Sequence, residues 1–222
     1  MNLLTVAHGN EINYRGQFRT PLFQIWGAAG RLLEALHTSL SPLGVTLGNI
    51  TVDETAKSPA ERAIVIQAGN CVYTWRIEKV ELVLRNFSND DLRALPRLMD
   101  ANDQWMSALG AKPDYASHQF SYAGHVQVGG ATSGQVLARV PHLELSQGLE
   151  ARTSGQILHW MDQDGWDGSL VMDHSQFVND GLFLLYSGKA CALGSGYVGA
   201  IDHLHKRLGE LLTLFDVGLE NQ

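Results

Sequence analysis

Residues 63–84, AIVIQAGNCVYTWRIEKVELVL, decide the fold because they form a continuous run of strand-like sequence. Its two arms, Ala63–Ala68 and Cys71–Leu84, are rich in β-branched and aromatic residues. Gly69-Asn70 between the arms suits a two-residue hairpin turn. In the second arm, the aromatic and the later aliphatic residues occupy positions of opposite parity, which predicts a bulge near Glu78-Lys79. The stretch therefore predicts antiparallel strands.

Three amphipathic helices are predicted outside this hairpin. The first begins at Thr20-Pro21 and ends before Pro42, because threonine caps helices and proline is favoured in their first turn. The second begins after Ser88, and Pro96 is expected to divide it into a short turn and a longer segment. The third carries an apolar stripe with three- and four-residue spacing: Val198, Ile201, Leu204, His205, Leu208, Leu211, Leu212 and Phe215.

Strands occur in runs between these helices rather than alternating with them one by one. Gln135–Leu145 is predicted to be extended, and Gly181–Ser187 to be a buried strand. This order indicates an α+β fold in which a mainly antiparallel sheet packs against about three helices. We expect a single domain over residues 1–222; the alternative is two similar halves, 1–112 and 113–222, each ending in strands and one amphipathic helix.

Composition argues against several classes of partner. The chain has 222 residues and a formal net charge of −7, without a basic run suited to a phosphate backbone, so we expect no nucleic acid. The longest apolar stretch, Leu182–Tyr186, is too short to cross a bilayer, so we expect no membrane. Cys71 and Cys191 form no secreted disulfide framework, and the first residues lack the pattern of a signal peptide. Together these features favour a cytoplasmic location.

Candidate metal ligands lie in and beside an acidic turn. Asp162, Asp164 and Asp167 alternate with glycine in the sequence DQDGWDG, as at the start of a calcium loop, although the spacing departs from that motif. His159 and His174 flank the turn and could meet on neighbouring strands. A metal site would use these five residues. The alternative interpretation is a polar hairpin turn.

Other motifs indicate neither a cofactor nor a catalytic residue. Residues 194–199, GSGYVG, match the glycine pattern of dinucleotide-binding folds. Too few residues follow for a second parallel strand, so the expected role is entry to the last helix. His203 and His205 lie about 200° apart around that helix and cannot chelate one ion together. Because His205 falls on the apolar stripe, we expect it in the core or at an interface.

Tryptophan residues offer a second kind of site. Trp26, Trp75, Trp105 and Trp160 could line an apolar pocket for a small molecule, in a sheet curved around the helices. Large aromatic side chains fill ordinary cores equally well, so core packing is the alternative. Quenching of tryptophan fluorescence by a ligand would separate the two interpretations.

Two parts of the chain resemble a known group of proteins. The segment Ile201-Asp202-His203-Leu204-His205, with Phe215 ten residues later, looks like the closing helix of a sporadically distributed family of bacterial α+β proteins of unknown function. The strand that carries Tyr73 and Trp75, followed by an amphipathic helix, is similar too. The resemblance implies a compatible layout in a bacterial protein; it implies no activity and no catalytic residue.

Three functions are compatible with this sequence. The favoured hypothesis is a non-catalytic interaction or accessory subunit of a bacterial multi-protein system, because the sequence shows no convergent acid–base set, metal motif or basic patch. Its partner would be another protein or a second copy, docked on an edge strand or on the last helix. The alternatives are a small-molecule-binding α+β domain with an apolar pocket and a metal-dependent hydrolase. Enzyme activity is therefore the less favoured expectation.

Overall fold

The structure is a computed structural model, and it describes residues 2–26, 29–53, 58, 61–139 and 155–219. The predicted α+β class is confirmed: a ten-stranded, mainly antiparallel sheet occurs with three helices of more than two turns. The helices are α1 (Ala29–Leu40), α2 (Asn89–Ala108), the short α3 (Ser133–Leu137) and α4 (Gly196–Thr213). The strands are β1 (Asn2–Phe18), β2 (Ile50–Asp53), β3 (Ala63–Ala68), β4 (Cys71–Trp75), β5 (Lys79–Arg85), β6 (Tyr115–Val128), β7 (Gln156–Met161), β8 (Asp167–His174), β9 (Leu182–Ala190) and β10 (Val217–Leu219).

Two compact units divide the chain, and each is built from more than one segment. The first unit comprises residues 1–11, 121–189 and 200–222, and the second comprises residues 12–120 and 190–199. In the first unit the strand order is β1-β6-β9-β8-β7, with β10 parallel to β1. In the second unit the order is β2-β3-β4-β5-β1-β6. No described helix is both long enough and apolar enough to cross a membrane.

The hairpin at Gly69-Asn70 is confirmed, since Ala68 pairs with Cys71 across it. The predicted bulge is wrong, because β4 ends, the chain reverses, and Trp75 pairs with Val80 on β5. In this register each odd-numbered residue lies opposite an even-numbered one. The change of parity in the sequence therefore reflects a second turn that keeps one face buried: Tyr73, Trp75, Val80 and Leu82.

The first two helices differ in detail from the prediction. Phe23–Trp26 form a single 3-10 turn and α1 begins at Ala29, so the first helix starts later than Thr20-Pro21 suggests. The second helix begins after Ser88 as predicted. The Ser88 side chain accepts a hydrogen bond from the amide of Asp91. Pro96 does not divide it: α2 is continuous, because the buried side chains on both sides of the proline hold the helix in place.

A short helix replaces part of a predicted strand. Thr132 caps α3: its hydroxyl accepts a hydrogen bond from the amide of Gln135 (3.3 Å), and the Gln135 side chain accepts one from the amide of Thr132 (2.9 Å). This reciprocal cap favours a helix over the extended conformation expected for Gln135–Leu145. Residues 140–145 of that prediction lie outside the described residues.

The buried face of α4 is rotated from the predicted stripe. Leu204, Leu208 and Leu212 are buried as expected, but Val198 is 55% exposed. His205 is exposed, so it lies outside the core, and its alternative place at an interface stays a prediction. A straight helix of 3.6 residues per turn buries positions four apart, and positions 198 and 205 fall on the flank of that face.

The inner face of the β7–β8–β9 sheet, which α4 covers, depends on two glycines. Trp160 pairs with Gly168, and Gly168 pairs with Gly188, so the three residues form one cross-strand row. A Cβ atom added at Gly168 would lie 2.7 Å from the Trp160 ring and would overlap the carbonyl oxygen of Ser187. One added at Gly188 would overlap the Leu204 side chain of α4. Glycine therefore lets both the indole ring and the helix approach these strands closely.

Gly168→Ala is expected to lower the free energy of unfolding by about 1–3 kcal/mol, because the new methyl group must displace a backbone carbonyl. Urea unfolding followed by circular dichroism measures the change. Gly209→Ala in α4 is the control, since no other part of the structure lies within 4 Å of the added Cβ atom. That variant is expected to gain about 0.5–1 kcal/mol from helix propensity. Unchanged stability of Gly168→Ala would contradict the proposed packing.

Candidate functional site

Asp162, in the turn between β7 and β8, connects that turn to α4 within the first unit. Its Oδ2 atom accepts hydrogen bonds from His203 Nε2 (2.8 Å) and Arg207 Nη2 (3.3 Å). Its Oδ1 atom accepts bonds from the backbone amides of Asp164 (3.0 Å) and Trp166 (3.1 Å). Burial alone would raise the pKa of Asp162, but the bonds from the Trp166 amide and from His203 outweigh it, so that pKa lies below its ordinary value. The carboxylate is therefore held in its charged form.

Three side chains of this cluster have the spacing of a metal site. One ligand atom from each of Asp162, Asp164 and His203 lies within 4.8 Å of the others. The Arg207 guanidinium, however, contacts the same Asp162 oxygen as His203 does. Its positive charge opposes a cation at that oxygen. The geometry therefore fits an ion-pair network better than a metal centre.

Of the five predicted metal ligands, the structure brings Asp162 and Asp164 together; Asp167 is exposed and lies outside that group. His159 pairs with position 169 of β8, whereas His174 lies five positions further along the same strand. An odd separation places His159 and His174 on opposite faces of the sheet, so they do not meet. The third member of the cluster is His203 of α4. From the sequence, His203 was a candidate ligand only as a pair with His205.

Asp162→Ala is expected to lower the free energy of unfolding by about 2–4 kcal/mol, because it leaves two backbone amides and the His203 ring without their acceptor and removes one of the two carboxylates that Arg207 contacts. Asp164→Ala is the matched control, with an expected change within about 0.5 kcal/mol for an exposed side chain. Thermal unfolding with and without added calcium or zinc tests the alternative. A metal-dependent rise in Tm that both variants abolish would establish a metal site instead.

The tyrosine network, which we define as Tyr14, Asp103, Tyr115, His118 and Tyr197, lies in the second unit. Asp103 accepts hydrogen bonds from the hydroxyls of Tyr115 (2.6 Å) and Tyr197 (3.0 Å). The Tyr14 hydroxyl lies 3.3 Å from that of Tyr197 and 2.9 Å from His118 Nδ1. When neutral His118 carries its proton on Nδ1, it donates to Tyr14, Tyr14 donates to Tyr197, and every one of these hydrogens has an acceptor.

Burial controls the charge states in the tyrosine network. It lowers the pKa of His118 to about 4 and raises that of Tyr14 well above its ordinary value. Burial also raises the pKa of Asp103, against the bonds from Tyr115 and Tyr197, which lower it. Since each donor is used inside the network, these groups link strands β1 and β6 to α2.

His118 gives stability a pH dependence of defined sign. Its pKa is about 4 in the folded chain against an ordinary 6.5, so below pH 6.5 the unfolded chain binds a proton that the folded chain does not. Through this residue, the free energy of unfolding should fall by about 2 kcal/mol between pH 7 and pH 5. Urea titrations at both pH values, on wild type and on His118→Gln, measure the contribution of His118 to this change in the free energy of unfolding. The same acid sensitivity in both proteins would contradict it.

The four tryptophans predicted to line a pocket are divided between the two units. Trp75 and Trp105 are fully buried, with ring centroids 5.1 Å apart, and both indole N–H groups donate to Asn102 Oδ1 (3.0 and 3.2 Å). Trp26 belongs to the same unit, whereas Trp160 belongs to the other. Core packing therefore describes Trp75 and Trp105 better than pocket lining does.

An open groove of about 270 Å³ lies in the second unit, between the β3–β4 turn and α2. Asn70, Cys71, Asp91 and Leu95 are among the residues that line it, and the tryptophans are not. Burial, and secondly the charge of Asp91, raise the pKa of the Cys71 thiol to about 12. A thiol with that pKa stays protonated near neutral pH and is a poor nucleophile.

The outer face of the β7–β8–β9 sheet, opposite to α4, carries exposed apolar side chains. Ile157, Val171 and Leu185 lie directly opposite one another on the three strands and form one cross-strand row. Ile157 is 60% exposed and Leu185 is 37% exposed, while Val171 is half-buried. Met161, on the same face of β7, is 82% exposed. A solvated face of an antiparallel sheet normally carries polar residues, so this row requires an explanation.

An aromatic group adjoins this row in the first unit. The His125 ring centroid lies 5.0 Å from that of Phe183 and 4.8 Å from that of Phe177, which is 68% exposed. His8 lies 5.2 Å from Phe177. Phe183 and Leu185 are two residues apart on β9 and therefore project from the same side of the sheet. The row and the aromatic group form one surface, which we call the outer surface.

Sequence reasoning missed both the outer surface and the tyrosine network. In β7, QILHWM, apolar residues occupy both parities, a signal that both faces of a strand become covered. Tyr197 lies inside the GSGYVG motif, where attention falls on the glycines. Tyr14 and His118 are separated by 104 residues, so local periodicity could not join them.

Two comparisons of the sequence with known proteins found no match. No family model matches the chain, and no curated protein sequence matches it. The resemblance of its closing helix to a family of bacterial proteins stays a prediction. Support for a function therefore comes from the contacts, burial and charges described above.

Proposed function

We propose that the chain is a non-catalytic interaction or accessory subunit of a bacterial multi-protein system, and that a protein partner docks on its outer surface. The observation that supports this proposal best is the Ile157–Val171–Leu185 row, which exposes apolar side chains on three adjacent strands. Contiguous exposed apolar surface on a folded domain marks an interaction site. Isolated exposed apolar residues carry no such meaning.

The surroundings of the row have the chemistry of an interface rim. On one side of the row the next residues on the same face are His159, Ser169 and Ser187, and the two serine hydroxyls lie 3.1 Å apart; on the other side Asp173 lies opposite Phe183 of the aromatic group. Asp167 and Lys189 lie opposite each other one step beyond. An apolar centre bordered by polar and charged side chains is the usual anatomy of a protein–protein interface.

The titratable clusters support the non-catalytic part of the proposal. Asp162 is engaged by four donors, and Asp103 accepts from two tyrosine hydroxyls. A catalytic acid or base needs a proton or a lone pair that can reach a substrate. In both clusters these atoms are used within the protein.

A cytoplasmic location is part of the same proposal. Both cysteines are free, with Cys71 buried and Cys191 exposed. Free thiols persist in a reducing compartment, whereas oxidising compartments favour disulfides. This supports a partner in the cytoplasm.

The pair of variants Ile157→Ser and Leu185→Ser tests the docking surface. Tagged wild-type and variant proteins are expressed at equal levels, and the proteins that co-purify are compared; any protein lost from both variants is then purified and titrated by calorimetry. We expect each variant to weaken the partner's Kd about tenfold or more, because truncating a central interface residue costs over 1 kcal/mol.

Leu214→Ser is the matched control, since Leu214 belongs to the same unit, is 62% exposed and lies outside the outer surface. Its Kd should equal that of wild type. All three variants should keep their free energy of unfolding within about 0.5 kcal/mol. Partner binding that is unaffected by the Ile157 and Leu185 variants, or equally weakened by the Leu214 control, would overturn the proposal.

A further inference from the structure

We propose that β7 pairs with β7 of a second copy of this chain, antiparallel, across a two-fold axis at His159. The inference rests on the proposed function, since it identifies the partner of one edge of the outer surface. It follows from three properties of β7: the direction of its backbone groups, the absence of protective residues, and a self-complementary register. The first and third properties follow from the pairing of β7 with β8, and the second follows mainly from the sequence of β7.

The backbone of β7 presents one row of unpaired groups at the edge of its sheet. Among the described strands, β7 is the last in the order and pairs with β8 alone. The Asp162 amide donates to the carbonyl of Trp166 (3.0 Å), so the backbone groups of Asp162 point towards β8. Because these groups alternate along a strand, those of the other even-numbered residues also point towards β8. The N–H and C=O groups of Ile157, His159 and Met161 point away from the sheet.

The β7 edge lacks the features that prevent strands from pairing. Its sequence, QILHWM, contains no lysine, no other formally charged residue and no proline, and its register with β8 is continuous, without a bulge. Natural proteins use these features to stop edge strands from associating. Because β7 has no lysine, arginine, aspartate or glutamate, no like charges of those residues meet when a second copy pairs with it.

One register satisfies all outward-pointing groups at once. In an antiparallel pair related by a two-fold axis, His159 lies opposite His159 of the second copy, and Ile157 lies opposite Met161 of the second copy. Each of the three outward-pointing residues then faces another outward-pointing residue. A shift by two positions would leave one of them without a partner and would place His159 opposite Ile157 or Met161, depending on the direction of the shift.

The same register covers the exposed apolar side chains of the strand. Ile157 and Met161 are 60% and 82% exposed, and they are equally distant in sequence from His159. The two-fold pairing therefore forms the contact between Ile157 and Met161 twice, with Cβ atoms about 5 Å apart. It also extends the Ile157–Val171–Leu185 row by one residue, so the outer surface becomes continuous between the copies.

Disulfide trapping tests the register directly. In a Cys191→Ser background, which removes the exposed thiol, single cysteines are placed at 157, 159 and 161 and oxidised mildly. We expect His159→Cys to cross-link to itself. Ile157→Cys and Met161→Cys should each form little disulfide alone and should cross-link when mixed, because only opposed residues lie about 5.5 Å apart between Cα atoms. Efficient cross-linking of Ile157→Cys to itself, or no preference among the positions, would overturn the inference.

A charge swap at the axis tests the same contact without oxidation. Wild type should have twice the 24.3 kDa chain mass by light scattering. His159→Glu and His159→Lys should each shift to the mass of one chain, because like charges meet at the axis, and an equal mixture should recover the dimer. A monomeric wild-type protein, or a dimer in both variants, would overturn the inference.

These outcomes are separable from those of the docking proposal. If wild type is a monomer but Ile157→Ser and Leu185→Ser still lose a purified partner, self-pairing is wrong and the docking surface stands. If the dimer forms in the expected register while no partner binding depends on those residues, self-pairing stands and docking of another protein is wrong.

Discussion

The packing of α4 against one face of the β7–β8–β9 sheet is the contact on which the rest of the first unit depends. Leu204 of α4 lies so close to Gly188 that no side chain fits between them, and Trp160 covers Gly168 in the same row. This arrangement buries the inner face, where Leu170, Met172 and Leu184 are inaccessible to solvent. It also determines which face of the sheet remains for a partner, because a single helix can cover only one.

Two clusters of charged and hydroxyl groups connect elements of this architecture. Asp162 connects the β7–β8 turn to α4 through His203 and Arg207. In the second unit, Asp103 holds the hydroxyls of Tyr115 and Tyr197. Buried polar groups are costly unless they have partners, and the carboxylates of Asp162 and Asp103 find theirs in other protein groups. The proposed protein partner would instead use the apolar outer surface and the edge of β7.

The elements with strong local signals could be predicted from the sequence. The Gly69-Asn70 hairpin and the Ser88 cap are examples, because turn and capping chemistry act over a few residues. The Thr132–Gln135 cap was present as well, but its strand-like neighbours concealed it. The buried face of α4 was predicted with an error of part of a turn, since Val198 and His205 fit the period without facing the sheet.

The sites could not be predicted to the same extent, because they depend on pairing between distant segments. The contact between Asp162 and His203 joins the β7–β8 turn to α4 across 41 residues of sequence. The Ile157–Val171–Leu185 row depends on the registers of two ladders. Periodicity reports the environment of one element at a time, whereas a shared face is defined by the alignment of several.

Amide hydrogen exchange along β7, measured by NMR in dilute and in concentrated protein, tests the central claim most directly. In dilute solution the amides of Leu158 and Trp160, which point towards β8, should be protected, while those of Ile157, His159 and Met161 exchange freely. In concentrated protein the three outward amides should become protected too, as the edge pairs with a second copy. Outward amides that exchange equally fast at both concentrations would contradict the pairing of this edge.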